Sequence, residues 1–597
     1  GGEKGEKPLT KNEFGLASQR WTGEVRALEE ALGRESEAEA ENRRNDNYVR
    51  ALQKAHEKGG HLAMERCMYQ MVETHVMAME GRQRVEGAGL EVIREGDVAG
   101  GRLLSEPRAV LDEVKASAQR MNVNRGASLE SGVLLLKAAG FDVVGGEEGM
   151  VEEEWRGERG WADKVFSQEV FQAVLKKQRR DKGLGADGWQ GVLAKWAPEW
   201  MQERYRLGAI GVAVDLDFPG EWLTHHVRMI PKAGRDPALF SKNRDIWLSP
   251  HGWSIMTGCF RVEYEKAQER MSVPASYGFR MRRGAAAVVL VVRLITELAA
   301  TTGTTLARCW VDLKGFFMGI CREFLYRLER AVGVEPGITR TMCALQGKVS
   351  GRVITAHGLS EEFCMVAGTG QGCNCSPNRA NIDLAPLQWT LERLIPGYPL
   401  PTRGNQLAAT VAVLWFADDA NTAAASASAI SAALSVTWMV TWLSGNEVGV
   451  AGDGSKTAFS VAEKQGTAGR VSTAERYEVK LPSGEVVPAV RKYKLLGTQV
   501  DYTVGEKGTC EKAVSRSVTA VRLMSRVGGA ERHQASRLAL VVPRGVVNFY
   551  GRSQGWGLAE AERVGVAQRK ALSRQGHRHW RAAKLQVYAP ESAGGLG

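Results

Sequence analysis

Two short apolar runs in this chain stop at carboxylates. Leu306-Ala-Arg-Cys-Trp-Val311 ends at Asp312, and Ala409-Thr-Val-Ala-Val-Leu-Trp-Phe416 runs into Ala417-Asp418-Asp419. Runs this short, rich in β-branched and aromatic residues, predict buried strands. Acids at the end of a buried strand restrict the fold sharply, because packed carboxylates repel and each is costly to desolvate alone. A divalent cation resolves the conflict. If the strand ending at Asp312 lies beside the one ending at Asp418-Asp419, three carboxylates meet at one sheet edge and can hold two Mg2+ ions. Paired ions about 3.5–4 Å apart activate an attacking hydroxyl and stabilise a departing phosphate group. Taken alone, Asp418-Asp419 also reads as an ordinary turn after a strand.

Helical stretches at 321–331 and 381–394 are interleaved with these runs, which predicts an α+β domain. Upstream, 17–86 reads as helix, dense in Glu and Ala and free of Pro, with a Met-rich stripe that packs as core. From 87 to 160 glycine-rich breaks surround one helical piece at 110–121, which reads as a connector. After Phe166 come a helix at 168–179, a loop at 182–189, two helices to Arg206, a basic stretch at 225–232, an apolar-faced helix to Met271 and a long helix at 285–301. The expected units are therefore a helical extension (1–90), a connector (91–165), and three further regions at 166–304, 305–500 and 501–597. No repeat of fixed period occurs, which disfavours solenoids and propellers.

Charge follows the same division. The 597 residues carry 79 Lys plus Arg against 68 Asp plus Glu, a net +11. Residues 1–160 hold 23 basic and 30 acidic side chains, a net −7, so 161–597 carry +18, of which 501–597 hold +9. Phosphate is the natural partner of such a surface, although many proteins are this basic without binding nucleic acid. Nine cysteines without a CxxC pair make a zinc site or a disulfide framework an unlikely design. The longest apolar stretch, 285–292, meets Arg293 well before the roughly 18 residues of a membrane span, and no signal peptide is evident. The chain starts on Gly-Gly without Met and ends on Gly-Gly-Leu-Gly, as a segment of something longer would.

A series of weak motifs surrounds the carboxylates in a fixed order. Lys182-Gly-Leu-Gly-Ala-Asp187-Gly188 comes first, then Ile230-Pro-Lys232-Ala-Gly-Arg-Asp-Pro and Asn243-Arg244-Asp-Ile-Trp-Leu-Ser-Pro. Tyr277-Gly-Phe-Arg280-Met-Arg-Arg283-Gly284 precedes the long helix, and Val311-Asp312-Leu-Lys-Gly-Phe-Phe317 follows it. Gly368-Thr-Gly-Gln371-Gly372-Cys-Asn-Cys-Ser376-Pro377, Phe416-Ala-Asp418-Asp419, Gly454-Ser-Lys456-Thr457, Tyr493-Lys-Leu-Leu-Gly497 and the terminal Gly-Gly-Leu-Gly597 complete the set. In this order and spacing they resemble the reverse transcriptases of non-LTR retrotransposons, the LINE-type elements, across about 166–597.

The resemblance implies a right-hand polymerase fold with fingers at 166–304, an antiparallel palm sheet at 305–500, a helical thumb at 501–597 and the helical N-terminal extension outside it. It implies an RNA-directed DNA polymerase that extends a DNA primer on an RNA template with dNTPs, using two Mg2+ ions, with Mn2+ as a possible substitute. Asp312, Asp418 and Asp419 would be the metal ligands and catalytic residues. Lys232 and Arg244 would neutralise the triphosphate, Phe317 would be the steric gate against ribonucleotides, and Gln371, Gly372 and Lys456 would lie by the nucleotide. A glycine at 372 would let the backbone approach a base pair. Arg280, Arg283 and the thumb residues Arg516, Arg522 and Arg526 would contact nucleic acid through phosphate and sugar. No membrane partner is implied, and a ribonucleoprotein in nucleus or cytoplasm suits such an element. Each cation also has a bland reading as a solvated surface charge, and Gln371 and Lys456 as loop residues.

Departures from the family pattern keep alternatives open. Phe316-Phe317-Met318 stands where Ala-Phe-Asp is usual, which would put a bulky ring near the nucleotide. Asp245 and Trp247 replace residues beside Arg244, and Asn374 and Cys375 stand at positions that are commonly apolar. A catalytically inactive, RNA-binding remnant is one alternative. A group II intron-type enzyme is another, because Ser376-Pro-Asn-Arg-Ala380-Asn381 is similar to its SPxxAN segment.

Overall fold

The computed structural model describes residues 90–121, 159–178, 183–189, 191–232, 235–401, 407–450, 456–464 and 470–501, short pieces between 514 and 521, and 558–574. These residues form an α+β structure with several antiparallel ladders. They divide into two compact units, the described residues of 90–288 with 294–491, and those of 289–293 with 492–574. The helices expected at 17–86 lie outside the described residues.

The larger unit begins with a hairpin, β1 (Ile93–Arg94) and β2 (Leu103–Leu104), and helix α1 (Pro107–Met121). Helix α1 buries Val110, Val114 and Ala118, one stripe at helical spacing. Helices α2 (Gln168–Lys176) and α3 (Glu199–Asp215) precede β3 (Thr224–Pro231) and β4 (Asn243–Leu248). Strand β3 turns His225, Val227 and Met229 inward with period two. Helix α4 (His251–Met271) is buried over most of its length, and α5 (Ala285–Thr302) leads to β5 (Leu306–Val311). All six residues of β5 are buried, as a central strand covered on both faces requires. Inside it, Arg308 donates to Asn421 Oδ1 at 2.7 Å, which satisfies part of a guanidinium that has no access to water.

Beyond β5 the order is β6 (Leu313–Lys314), α6 (Arg322–Ala331), β7 (Ser350–Thr355), β8 (Gly358–Leu359), β9 (Phe363–Cys364) and α7 (Ser376–Leu394). Strands β10 (Tyr398–Pro401), β11 (Leu407–Val411), β12 (Val413–Phe416) and β13 (Asp419–Ala424), helix α8 (Ala427–Leu443), and β14 (Glu447–Val448), β15 (Ala458–Lys464) and β16 (Arg470–Ser472) follow. Two sheets of five strands result. One has the order β12-β13-β5-β15-β16, all antiparallel, and α8 packs against β5 and β13. The other has the order β4-β3-β7-β8, with β9 also on β7, and its β3/β7 pair is parallel.

Three expectations need correction. The run 409–416 is two strands, because the chain changes partner at Ala412: β11 pairs with β10, and β12 pairs with β13. Gly397 packs there so closely that a Cβ would stand 2.5 Å from Ala412 N. Strand β12 does not lie beside β5, since its hairpin partner β13 comes between them. Across residue 304, β7, β8 and β9 join β3 and β4, and residues 275–277 add to the edge of β12 through Trp415 N to Ala275 O (3.0 Å) and Tyr277 N to Trp415 O (2.9 Å). Finally, α5 is long and apolar enough to span a membrane, with a mean hydropathy of 1.8 over 18 residues, because the apolar pattern resumes after Arg293. It carries Arg293 and Glu297 within that span, which a bilayer core penalises.

In the second unit, β17 (Lys492–Leu495) and β18 (Thr498–Asp501) form a hairpin. Its turn residues Leu496 and Gly497 both have positive φ, 47° and 88°, the geometry that matches strand twist. Helix α9 (Leu558–Arg574) contributes Ala567 to a small cluster with Val518 and Val521.

Candidate active site

The carboxylates meet through a hairpin rather than through neighbouring strand ends. Phe416 pairs with Asp419 across β12/β13, leaving Ala417 and Asp418 as a two-residue turn. Ala417 has φ of 56°, a left-handed value that a non-glycine residue adopts at some cost. Gly278 holds the turn from outside: a Cβ on it would stand 2.1 Å from Ala417 N. The Gly278 carbonyl in turn accepts from Asn381 Nδ2 at 2.7 Å. Ala420 faces Val311 in the β13/β5 ladder, so one further step of the same register sets Asp419 opposite Asp312. Asp418 thus stands in a turn after a strand, and Asp419 opens the next one.

Asp312 is fixed by its own backbone. Its N–H donates to Thr457 Oγ1 at 3.0 Å and its carbonyl accepts from Gly449 N at 2.9 Å. Its carboxylate accepts from Lys456 N at 3.4 Å, and Lys456 Nζ stands 3.6 Å from Oδ1. Burial raises the carboxyl pKa of Asp418, the charge of Asp312 adds to the rise, and Lys456 and Arg244 oppose it. Asp419 is pushed up to about 6, by burial first and by Asp418 next. Three half-buried acids therefore share one region of unneutralised negative charge.

Among the described residues no three His, Cys, Asp or Glu side chains are drawn together into a formed metal cage. The donor set still suits a hard divalent cation. It is all oxygen, the charge of Asp312 adds to the raised pKa of Asp418 and of Asp419, and the nearest counter-charge is the mostly exposed ammonium of Lys456.

The cations expected at the triphosphate lie on β4 and just past β3. Ile230 faces Arg244 in the ladder, and Lys232 follows the last residue of β3. Burial lowers the pKa of Lys232 and Arg244 lowers it further, while Asp245 and Asp312 oppose. Lys232 is thus within electrostatic reach of Asp312, as Arg244 is of Asp418. Asp245, next to Arg244 and on the opposite side of the strand by alternation, is pushed up to about 6 by burial.

The segment 316–319 is one helical turn entered through Gly315 at φ of 53°. Phe316 and Met318 are buried in the core, so the bulky ring expected near the nucleotide faces inward. Phe317 is half-buried and meets the exposed ring of Phe279 edge to face, with centroids 6.2 Å apart. Its carbonyl accepts from Thr369 N at 2.9 Å, which ties it to the loop of Gln371 and Gly372.

The glycines of that loop pack against β4. A Cβ on Gly370 would stand 2.3 Å from the Trp247 ring, and one on Gly372 would stand 2.5 Å from Trp247 O, while Trp247 N donates to Gln371 O at 2.7 Å. The close approach is therefore to β4, which fastens the loop to the strand that carries Arg244. Four side chains of 376–381 are structural in the same region. Ser376 Oγ donates to Thr369 O at 2.5 Å, Asn378 donates to Gln268 at 2.5 Å, Arg379 pairs with Glu329 at 2.6 Å in full burial, and Asn381 holds Gly278.

Arg280 is committed to the protein. Its guanidinium pairs with Glu269 at 2.7 Å and donates to the carbonyls of Val273 and Ser276, with a side chain only 6% exposed. Arg283 donates to Pro274 O and lies over the Tyr277 ring at 5.4 Å. Arg516, Arg522 and Arg526 lie outside the described residues. Sequence reasoning gave no bracing role to Trp247 or Gly278, although both stand in its motifs, and no signal for Arg322. The last, buried, donates to the carbonyls of Gly368, Gln346, Met365 and Ala367 and so carries the loop from below.

No family model matches this chain, and no curated protein matches it.

Proposed function

We propose that the chain is an RNA-directed DNA polymerase of the non-LTR retrotransposon type. What supports the reading is the electrostatic reach of Lys232 to Asp312 and of Arg244 to Asp418, with Asp419 beside Asp418, among residues up to 187 apart in sequence. A right-hand polymerase needs acids at a palm hairpin and cations on the fingers to face one another in this way.

In this reading Asp312 and Asp418 hold divalent metal, with Asp419 adding charge. Bound Mg2+ would lower the pKa of the primer 3′-hydroxyl and stabilise the pyrophosphate. The hydroxyl oxygen forms a bond to the α-phosphorus as the bond to the β-phosphate bridging oxygen breaks, and pyrophosphate leaves. Lys232 and Arg244 offset the polyphosphate charge, Arg244 with a fork that suits two phosphate oxygens. In this reading the half-buried ring of Phe317 would be the group that refuses a 2′-hydroxyl. Lys456, beside Asp312, screens the acids from one another before substrate arrives.

The test is primer extension on an RNA template with dNTPs and Mg2+, comparing the wild-type chain with Asp418→Ala. Extension that needs Mg2+ and disappears in the variant supports the reading. A wild-type chain that binds the template but never extends the primer points instead to an inactive, RNA-binding remnant.

A further inference from the structure

Residues 91–104 were expected to be a connector, yet they form a corner with a defined target. At Gly96-Asp97 the backbone is left-handed twice, with φ of 72° and 55°. Glycine adopts that region freely and Asp does so less readily, so a held Asp marks a constrained position. The corner delivers the Asp97 carboxylate to the backbone of Ser241, whose N–H donates to Oδ2 at 3.0 Å and to Oδ1 at 3.3 Å. Ser241 presents its carbonyl to Lys232, and Lys232 Nζ donates to it at 3.3 Å.

A second clamp grips the same loop. Arg94 Nε pairs with Asp236 Oδ2 at 2.6 Å, and Arg94 N donates to Ala238 O at 2.9 Å. From the other side Asn243 Nδ2 donates to the carbonyls of Pro237 and Leu239 at 3.0 and 2.7 Å. The loop from 235 to 243 is thus anchored on both flanks, and the bond from Ser241 O is the link that reaches the ammonium.

We propose that Asp97 is a positioning residue for Lys232, acting through the backbone of Ser241, so that the β1–β2 hairpin sets where the ammonium meets a polyphosphate. The identity of that anion as a dNTP rests on the polymerase reading, whereas the positioning does not.

The informative variant is Asp97→Gly, because glycine accepts the φ of this position and removes only the carboxylate. In the full chain, competitive acetylation of lysines by acetic anhydride across pH, read on the Lys232 peptide by mass spectrometry, reports the surroundings of that amine without any need for polymerisation. Released from Ser241 into water, Lys232 is expected to titrate closer to an ordinary lysine, with its labelling relative to other lysines changed roughly fivefold. Asp97→Asn keeps one acceptor oxygen and restores most of the wild-type profile. Arg102→Ala, on the same hairpin in an exposed ion pair, leaves the profile unchanged. A folded Asp97→Gly chain that labels Lys232 as the wild type does overturns the proposal.

In primer extension, Asp97→Gly is expected to raise the dNTP KM about fivefold to tenfold, as loss of one hydrogen bond does, with kcat within about twofold. A fall in kcat at unchanged KM overturns it too. If wild-type chain fails to extend primers while Lys232 labelling still responds to Asp97, the polymerase reading falls and the positioning stands.

Discussion

Lys456 Nζ stands 3.6 Å from Oδ1 of Asp312, and the same ammonium lowers the pKa of Asp418 and Asp419. One exposed cation thus serves three acids at the end of the β5, β12 and β13 strands. It is a weak counter-charge, since an exposed pair contributes little, and the acids remain poised for a stronger one.

Removing either principal acid is expected to abolish catalysis while leaving the fold. Asp312→Ala and Asp418→Ala should each lower Mg2+-dependent extension by about a thousandfold or more, with Asp419→Asn nearer to tenfold. Rates on a single RNA template, with circular dichroism to check folding, measure this. An Asp418→Ala chain that extends at the wild-type rate would dismiss the hairpin as the site.

Stability should depend on pH through Asp419. Its folded pKa, about 6, lies above the ordinary aspartate value of 3.8. Between those values the native state holds the extra proton, so the unfolding free energy falls as pH rises from about 4 to 6. The contribution is present below the unfolded pKa and lost above the folded one. Mg2+ should therefore raise the melting temperature more at pH 7 than at pH 5, and Asp419→Asn should shrink the difference. Equal Mg2+ effects at both pH values, by differential scanning calorimetry, would count against metal binding here.

The two adjacent rings should separate packing from selectivity. Phe316 is buried, so Phe316→Ala is expected to cost about 3–5 kcal/mol of stability. Phe317→Ala should cost less and should weaken discrimination against ribonucleotides about tenfold or more, measured as the ratio of kcat/KM for dNTP and rNTP. If Phe317→Ala keeps the wild-type ratio, Phe317 is not the gate.

Gly278→Ala tests the brace behind the turn. Its Cβ would meet the Ala417 backbone at 2.1 Å, which a flexible neighbour cannot relieve. A loss of about 1–3 kcal/mol is expected, accompanied by slower extension because Asp418 moves with Ala417. Thermal melting and steady-state kinetics on the same sample read both effects, and a variant unaffected in either would show that the turn holds itself.

How far the sequence disclosed this arrangement depended on whether the signal was local. Strand β5 was legible because six consecutive buried residues end at one acid, and α4 and α5 were legible because long apolar patterns have few readings. The break at Ala412 was not, since it exists only because β10 and β13 compete for different halves of one apolar run. The inward turn of Phe316 depends on Gly315 and its φ of 53°, which no residue pattern announces. Lys232, Arg244 and the three acids carried motif signals. Asp97, Arg322 and Trp247 act through backbone groups distant in sequence, and any side chain can be opposite a carbonyl.

The parallel pairing of β3 with β7 governs the order in which the molecule can be assembled. Thr224 and its partner Ser350 are separated by 126 residues, so during synthesis β3 must wait for its partner with one ladder edge open. Contacts of such long separation close slowly, and an open strand edge is the template on which nascent chains associate. A fragment ending near residue 304 would contain β3 and β4 without the strand that completes their sheet. Expression should therefore succeed or fail with the chain to at least β9 as one piece, and a ribosome stalled before residue 350 should present a species that binds chaperones.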